Sequence, residues 1–453
     1  MKKLIFSVSF VCFNVVMNAQ LNPAITSWLQ NTSIRGRHYV AGNSTPITDA
    51  SLIANVQGVQ YSATSVYITT QGIPSYVTGP FLDNNPSQAS NQNAIFKFPL
   101  APSQNTGTPT ATNLGNIGVF INGVAMFDYR DGVSWKNSTG TMAGGPTGGM
   151  GDGVWNRDAI VAERAGFDCS KGHPAMGNYH HHQNPSAFDL DQNVISTVCN
   201  LYDADGLYAI DPSVHSPLIG FAYDGFPVYG AYGYKNADGT GGIIRMKSSY
   251  VLRNITTRTT SATGATVTAG PPVSATYPLG TFKEDYEYVA TSAATPDYLD
   301  EHNGRFCITP EYPNGTYCYF ATVDANWNSA YPYLIGPTFY GNKTAAKVSS
   351  VSEPTTTYAT TTGLHEQRTE VMQVAVFPNP SSDLIAVQVK DLVEENYEVS
   401  LYDIAGRLID KVWLYQGSTI VYFDTKTLYA GDYFVSLKDD SGHRITRKVS
   451  VVK

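Results

Sequence analysis

The stretch "KGHPAMGNYHHHQNPS", Lys171 to Ser186, holds four of the nine histidines in a chain of 453 residues. Its glycines and prolines (Gly172, Pro174, Gly177, Pro185) argue against a helix. If Tyr179 to His182 is extended, His180 and His182 project from one face and His181 from the other. Residues i and i+2 on a strand lie about 6.6 Å apart, so their imidazoles can converge on one ion at about 2.0–2.1 Å. On a helix the same pair would diverge. His173 lies seven residues before His180, and a turn over Pro174 to Gly177 brings it back beside the strand. The stretch thus reads as a strand hairpin offering three imidazoles, a donor set suited to zinc or copper. Exposed loop histidines are the competing reading.

Working outward, alternation dominates and helical periodicity is scarce. "SVYITT" from Ser65, "GVFING" from Gly118 and "TYCYFATV" from Thr316 predict strands. "HSPLIGFAYDGFPVYGAYGY", His215 to Tyr234, predicts a hairpin about Asp224-Gly225. Cys307 and Cys318 flank "ITPEYPNGTY", a second hairpin with Asn314-Gly315 at its turn. The fold class is therefore mainly β.

The ends set the compartment. Lys2 and Lys3 followed by the short apolar run Leu4–Val16 predict a secretory signal peptide, residues 1–19, cut after Ala19. No later run approaches the roughly 18 apolar residues of a membrane span. Four cysteines remain after cleavage: Cys169, Cys199, Cys307 and Cys318. In an oxidising compartment these predict two disulfides with three possible connectivities. The hairpin favours 307–318, leaving 169–199. A formal net charge of −8 with no basic cluster makes nucleic acid a poor partner. "DADG", Asp203 to Gly206, hints at a calcium loop but lacks the later acidic ligands.

Residues 345–372 are rich in Thr and Ser and predict a linker. It separates a domain over 20–344 from a tail over 373–453. In the tail, "VAVFPNPSSDLIAVQV", "YEVSLYDIAGRLIDKVWL" and "TLYAGDYFVSLKD" give short strands between Gly and Pro turns, the pattern of a small antiparallel β-sandwich.

The FPNP start, the LYDIAGR centre, the L-x-x-G-x-Y-x-x-x-L segment and the basic end of this tail resemble the type A sorting domain of the type IX secretion system. That resemblance implies a Bacteroidetes-type cell, contact with the type IX machinery, delivery to the outer-membrane surface or beyond, and removal of the tail. "GHPAMGNYHHHQNP" and "HSPLIGFAYDGFPVYGAYGY", with "GVFINGVAMFD" before them and "YLDEHNGRFCITPEYPNGTYCYF" after, resemble the YHYH-domain family of secreted proteins across residues 115–341. Tyr179, His180 and His182 match its naming motif, and His181 replaces the second Tyr. His173 matches the preceding Gly-His, His215 the opening of the aromatic hairpin, and Cys169 a cysteine before the Gly-His. The resemblance implies no settled activity. It adds His215 as a fourth candidate ligand beside His173, His180 and His182. Tyr179, Asp224 and His302 are candidates to support the ligands, with Tyr179 read chiefly as core.

The leading expectation is an exported protein binding one transition metal, copper or zinc. Two rivals stand beside it. One is a metal-dependent extracellular enzyme, with Asp224 or Glu301 as base. The other is a surface adhesion or glycan-binding module that needs no metal.

Overall fold

The structure is a computed structural model. It describes residues 21–40, 45–81, 88–145, 148–186, 207–208, 210–291, 295–359, 374–389, 393, 396–404, 406–438 and 444–453. The expected signal peptide, Cys199, the Asp203–Gly206 loop and residues 360–372 of the expected linker lie outside them. The chain divides into two compact units, Met1–Ala359 and Thr360–Lys453.

The core of the first unit is built on the two largest of its six sheets among the described residues. An eight-stranded sheet runs in the order His173–Ala175, Asn178–His181, Ala125–Phe127, Asn116–Phe120, Leu218–Ala222, Pro227–Tyr229, Thr316–Phe320, Gly304–Cys307. A five-stranded antiparallel sheet runs Ala346–Val348, Ala94–Pro99, Ser65–Thr70, Val56–Tyr61, Thr356–Tyr358. Alternation explains the edges of burial. "AIFKFP" at Ala94–Pro99 alternates buried and half-buried positions, so Ala94, Phe96 and Phe98 face inward. Ser65–Thr70 is buried at five of six positions because it sits mid-sheet. Val59, Val66, Ile68 and Phe98 from this sheet join Val119, Phe221, Val228 and Tyr319 from the other in one core. The Trp28 ring lies between Phe98 and Phe221, 5.6 and 5.3 Å away between centroids. Each such large side chain contributes roughly 1.5–3 kcal/mol on burial. Residues before 115 are thus part of the same unit.

The expected linker starts later than its composition suggests. Ala345 is buried, residues 346–348 and 356–358 are strands of the five-stranded sheet, and Glu353 pairs with Lys97 at 3.1 Å. Thr and Ser serve an edge strand as well as a linker, since an edge needs β-formers more than aliphatic side chains.

The hairpin Gly304–Cys307/Thr316–Phe320 forms as expected, but its cysteines are not bonded. Cys307 and Cys318 are buried free thiols. In the register Cys307 faces Thr316 and Cys318 faces Arg305, so the two cysteines form a diagonal pair. The two thiols nevertheless lie against each other within hydrogen-bonding reach. Cys169 is disulfide-bonded.

The second unit is a β-sandwich of a three-stranded sheet (Val374–Phe377, Leu384–Val389, Ile420–Asp424) and a four-stranded sheet (Leu408–Leu414, Tyr397–Asp403, Gly431–Lys438, Arg444–Val451). Ile385, Val387 and Phe423 meet Val399, Leu401, Val435 and Leu437 in a separate core. No helix among the described residues is long and apolar enough to cross a membrane.

Candidate metal centre

The histidine stretch folds as a two-strand hairpin. Met176 and Gly177 form its turn with φ of 49° and 84°, and Ala175 pairs Asn178 across it. Two successive positive φ angles are what a two-residue type I′ loop requires, and Gly adopts one freely. Pro174 lacks an N–H and sits in the outermost strand, where none is needed. The register sets His173 directly opposite His180. Asn178–His181 also runs parallel to Ala125–Phe127, pairing His180 with Ala125.

Alternation then sorts the side chains. Tyr179 and His181 turn toward the core. The Tyr179 hydroxyl donates to Asp168 Oδ2 at 2.8 Å, and His181 Nε2 lies 2.7 Å from the Tyr76 hydroxyl. Tyr179 is therefore a core aromatic. Asp168 also accepts from the backbone N–H groups of Gly79, Ser170 and Gly172, fixing the loop that leads to His173. Gly172 is obligatory there, because a Cβ would collide with the Tyr179 phenol.

On the other face His173, His180 and His182 converge, with one ligand atom from each inside a 4.8 Å span. All three are at most 5 % exposed. His180 Nε2 and His182 Nε2 are 3.0 Å apart. His180 Nδ1 donates to the Asn178 carbonyl at 2.8 Å, and His182 Nδ1 to the Asp128 carbonyl at 2.5 Å. Those bonds hold the Nδ1–H tautomer and leave Nε2 bare in each neutral ring. Phe127 stacks on His180 at 3.7 Å, and Phe167 meets His173 edge-on at 4.9 Å.

A fourth group completes the cluster. Glu163 ends the short helix Ala159–Glu163, whose N-cap Asp158 accepts from the N–H groups of Ile160 and Val161. Its Oε2 lies 3.3 Å from both His173 Nε2 and His182 Nε2. Nevertheless Glu163 Oε2 and both ring nitrogens of His173 are buried without an aligned hydrogen-bond partner. Burial raises the Glu163 carboxyl, but the His173 and His182 imidazoles outweigh it and hold the pKa down at about 2. Burial, with the nearby His173 and His182, pushes His180 well below its ordinary value. For His182 burial also opposes the charge, but Glu163 and the Asp128 carbonyl prevail and raise it. The cluster is a buried, electron-rich pocket of four donors, and such a set suits a small divalent cation. Neither spacing nor periodicity marked Glu163. Asp128 stood inside a quoted segment, but its contribution is a main-chain carbonyl, which residue identity does not reveal.

The other candidates lie elsewhere. His215 does not join the cluster. It sits among Tyr229, Tyr234 and Phe320, with Nδ1 donating to the Ser216 carbonyl at 2.7 Å. Its place on the sheet's other flank follows from the strand order, since it leads into Leu218–Ala222, three strands along from Asn178–His181. Asp224 serves its own turn, accepting from the Tyr319 hydroxyl at 2.5 Å and the Gly341 N–H at 2.8 Å. His302 Nδ1 is 2.8 Å from Thr338 Oγ1, and its Nε2 is 3.9 Å from Glu301. None of these three supports a cluster histidine.

The fold and site define a β-rich domain carrying a buried three-histidine cluster, followed by a β-sandwich tail. The chain matches the YHYH protein family over residues 95–332 and belongs to it. Residues 375–452 match the secretion system C-terminal sorting domain, which indicates type IX export to the cell surface or the extracellular space. Among solved structures, a DUF3244 family protein from Bacteroides vulgatus with an immunoglobulin-like β-sandwich is similar at 12 % identity and a TM-score of 0.16, covering 18 % of this chain and 86 % of its own. A search of curated proteins finds no match.

Proposed function

We propose that the first unit binds one transition metal ion, zinc or copper, through His173, His180 and His182, with Glu163 as the fourth donor. The supporting observation is the set of buried, unpartnered atoms: both nitrogens of His173 and Glu163 Oε2, beside two bare Nε2 atoms. A single shared proton satisfies two such atoms. A cation satisfies four. Four protein donors make a closed tetrahedral shell, which is the layout of a holding site rather than of a hydrolytic one with an open position. Asp224 is held by Tyr319 and Gly341, and Glu301 is exposed beside His302, so neither carboxylate adjoins the cluster and no reaction is assigned. The export signal at the N-terminus, a Cys169–Cys199 bond and release of the tail complete the reading of a secreted metal-binding protein of a Bacteroidetes-type cell.

The test is metal analysis of the full chain purified without chelator, followed by calorimetric titration of the stripped protein with Zn2+ and Cu2+. One ion per chain at micromolar affinity or tighter is expected. No bound ion and no uptake overturns the proposal.

A further inference from the structure

We infer that a tyrosine-lined cleft in the first unit binds an uncharged saccharide. The cleft has a volume of about 450 Å3, inside the roughly 300–1,000 Å3 of small-molecule sites. Tyr250, Tyr286, Tyr298, Tyr331 and Tyr333 line it. Tyr286 and Tyr331 stack at 4.2 Å with planes 8° apart, and Tyr250 meets Tyr331 edge-on at 5.4 Å. Tyr331 and Tyr333 form the buried floor, and Tyr298 is the exposed ring at 36 %, with the Lys247 ammonium 5.2 Å over one of its faces and the other left for a ligand.

Tyrosine offers a flat apolar face and a hydroxyl at its tip. A sugar ring offers the complement, an apolar C–H face edged by hydroxyls. Two cations and one carboxylate also line the cleft, and all three are committed; Asp324 accepts from the backbone N–H groups of Asn326 and Asn328 at 2.7 and 3.0 Å. Lys247 Nζ pairs with Asp297 at 2.7 Å, and Arg245 donates to the Val323 carbonyl at 2.6 Å. With those charges taken up, the cleft favours a neutral ligand over an anionic one.

The cleft shares supports with the histidine cluster. Ser329, in its wall, donates to Gln183 at 2.5 Å, and Gln183 follows His182. Tyr333 donates to Asp158 at 2.7 Å, the cap of the helix that ends in Glu163. Saccharide binding stands on the cleft itself. Only this link to the metal rests on the function proposed above.

The test is native affinity electrophoresis of the metal-replete full chain through gels holding xylan, laminarin, starch or dextran, with alginate and polygalacturonate as acidic comparisons. At least one neutral polysaccharide should retard the protein. Tyr298→Ala should weaken that interaction roughly tenfold or more, as loss of an aromatic anchor does, and Tyr298→Phe should retain most of it. Metal content of the Tyr298→Ala protein should equal that of the wild type, so the metal proposal fails or survives separately. No retardation by any neutral polysaccharide, retardation by the acidic ones alone, or retardation indifferent to Tyr298→Ala overturns the inference.

Discussion

His180 and His182 hold their Nε2 atoms 3.0 Å apart while each gives its Nδ1–H to a main-chain carbonyl. In the neutral rings two lone pairs therefore face one another in a buried space. Either a proton shared between the two rings or a cation lying against both relieves that arrangement. His180→Ala and His182→Ala should each lower zinc or copper affinity at least about 100-fold, because a shell missing one donor holds the ion poorly. Competition against a chromophoric chelator measures this. Wild-type affinity in either variant would remove the ligand from the set.

His181 should behave in the opposite way. Its ring packs edge-on against Phe120 and Tyr179 and bonds Tyr76, all in the core. His181→Ala should keep one ion per chain yet cost about 2–4 kcal/mol of stability, the range for emptying a buried position. Urea unfolding of the metal-free protein reads the cost, and metal analysis reads the stoichiometry.

Glu163→Gln preserves shape and removes charge. Loss of the carboxylate should weaken metal binding roughly 10–100-fold without unfolding the domain. An unchanged affinity would make Glu163 a neighbour of the centre and not a ligand.

Asp224 supplies a pH test away from the metal. Burial raises its carboxyl from 3.8 to about 6, against hydrogen bonds from Tyr319, Gly341 and Phe226. A folded pKa above the unfolded one means the folded state binds the proton more tightly. Its contribution is present below about pH 4 and is lost as pH rises through about 6. The full span is worth at most about 3 kcal/mol. Unfolding midpoints recorded from pH 4 to 7 should carry this downward component in the wild type and lose it in Asp224→Asn. A slope that persists unchanged would place the titration on other groups.

The buried thiols Cys307 and Cys318 should be silent to a thiol reagent in the native protein and react after unfolding, giving two thiols per chain. Absence of reaction in the unfolded, non-reduced chain would mean that the hairpin carries a disulfide after all.

Much of this site was legible in the sequence because strand alternation is strict. An extended Tyr179–His182 puts His180 and His182 on one face, and a turn over Pro174 to Gly177 could return His173 beside them, as the hairpin does. The tail's sandwich was equally legible from its strand and turn spacing. Glu163 was not, because it reaches the cluster through tertiary packing of a one-turn helix that no periodicity announces. His215 entered through the family resemblance, and a matched motif position says nothing of which side of the sheet its side chain takes. The Cys307–Cys318 hairpin formed as read and brought its two thiols together as a diagonal pair, but they are not bonded.

The segment 345–359 contributes one strand to each outer edge of the five-stranded sheet, Ala346–Val348 beside Ala94–Pro99 and Thr356–Tyr358 beside Val56–Tyr61. It works as a clasp whose two ends close both open borders. A truncation placed at residue 344 would bare two rows of unpaired backbone groups at once and invite edge-to-edge aggregation. A cut after Ala359 leaves the clasp shut, so any proteolytic step that frees the tail without harming the first unit must fall beyond it.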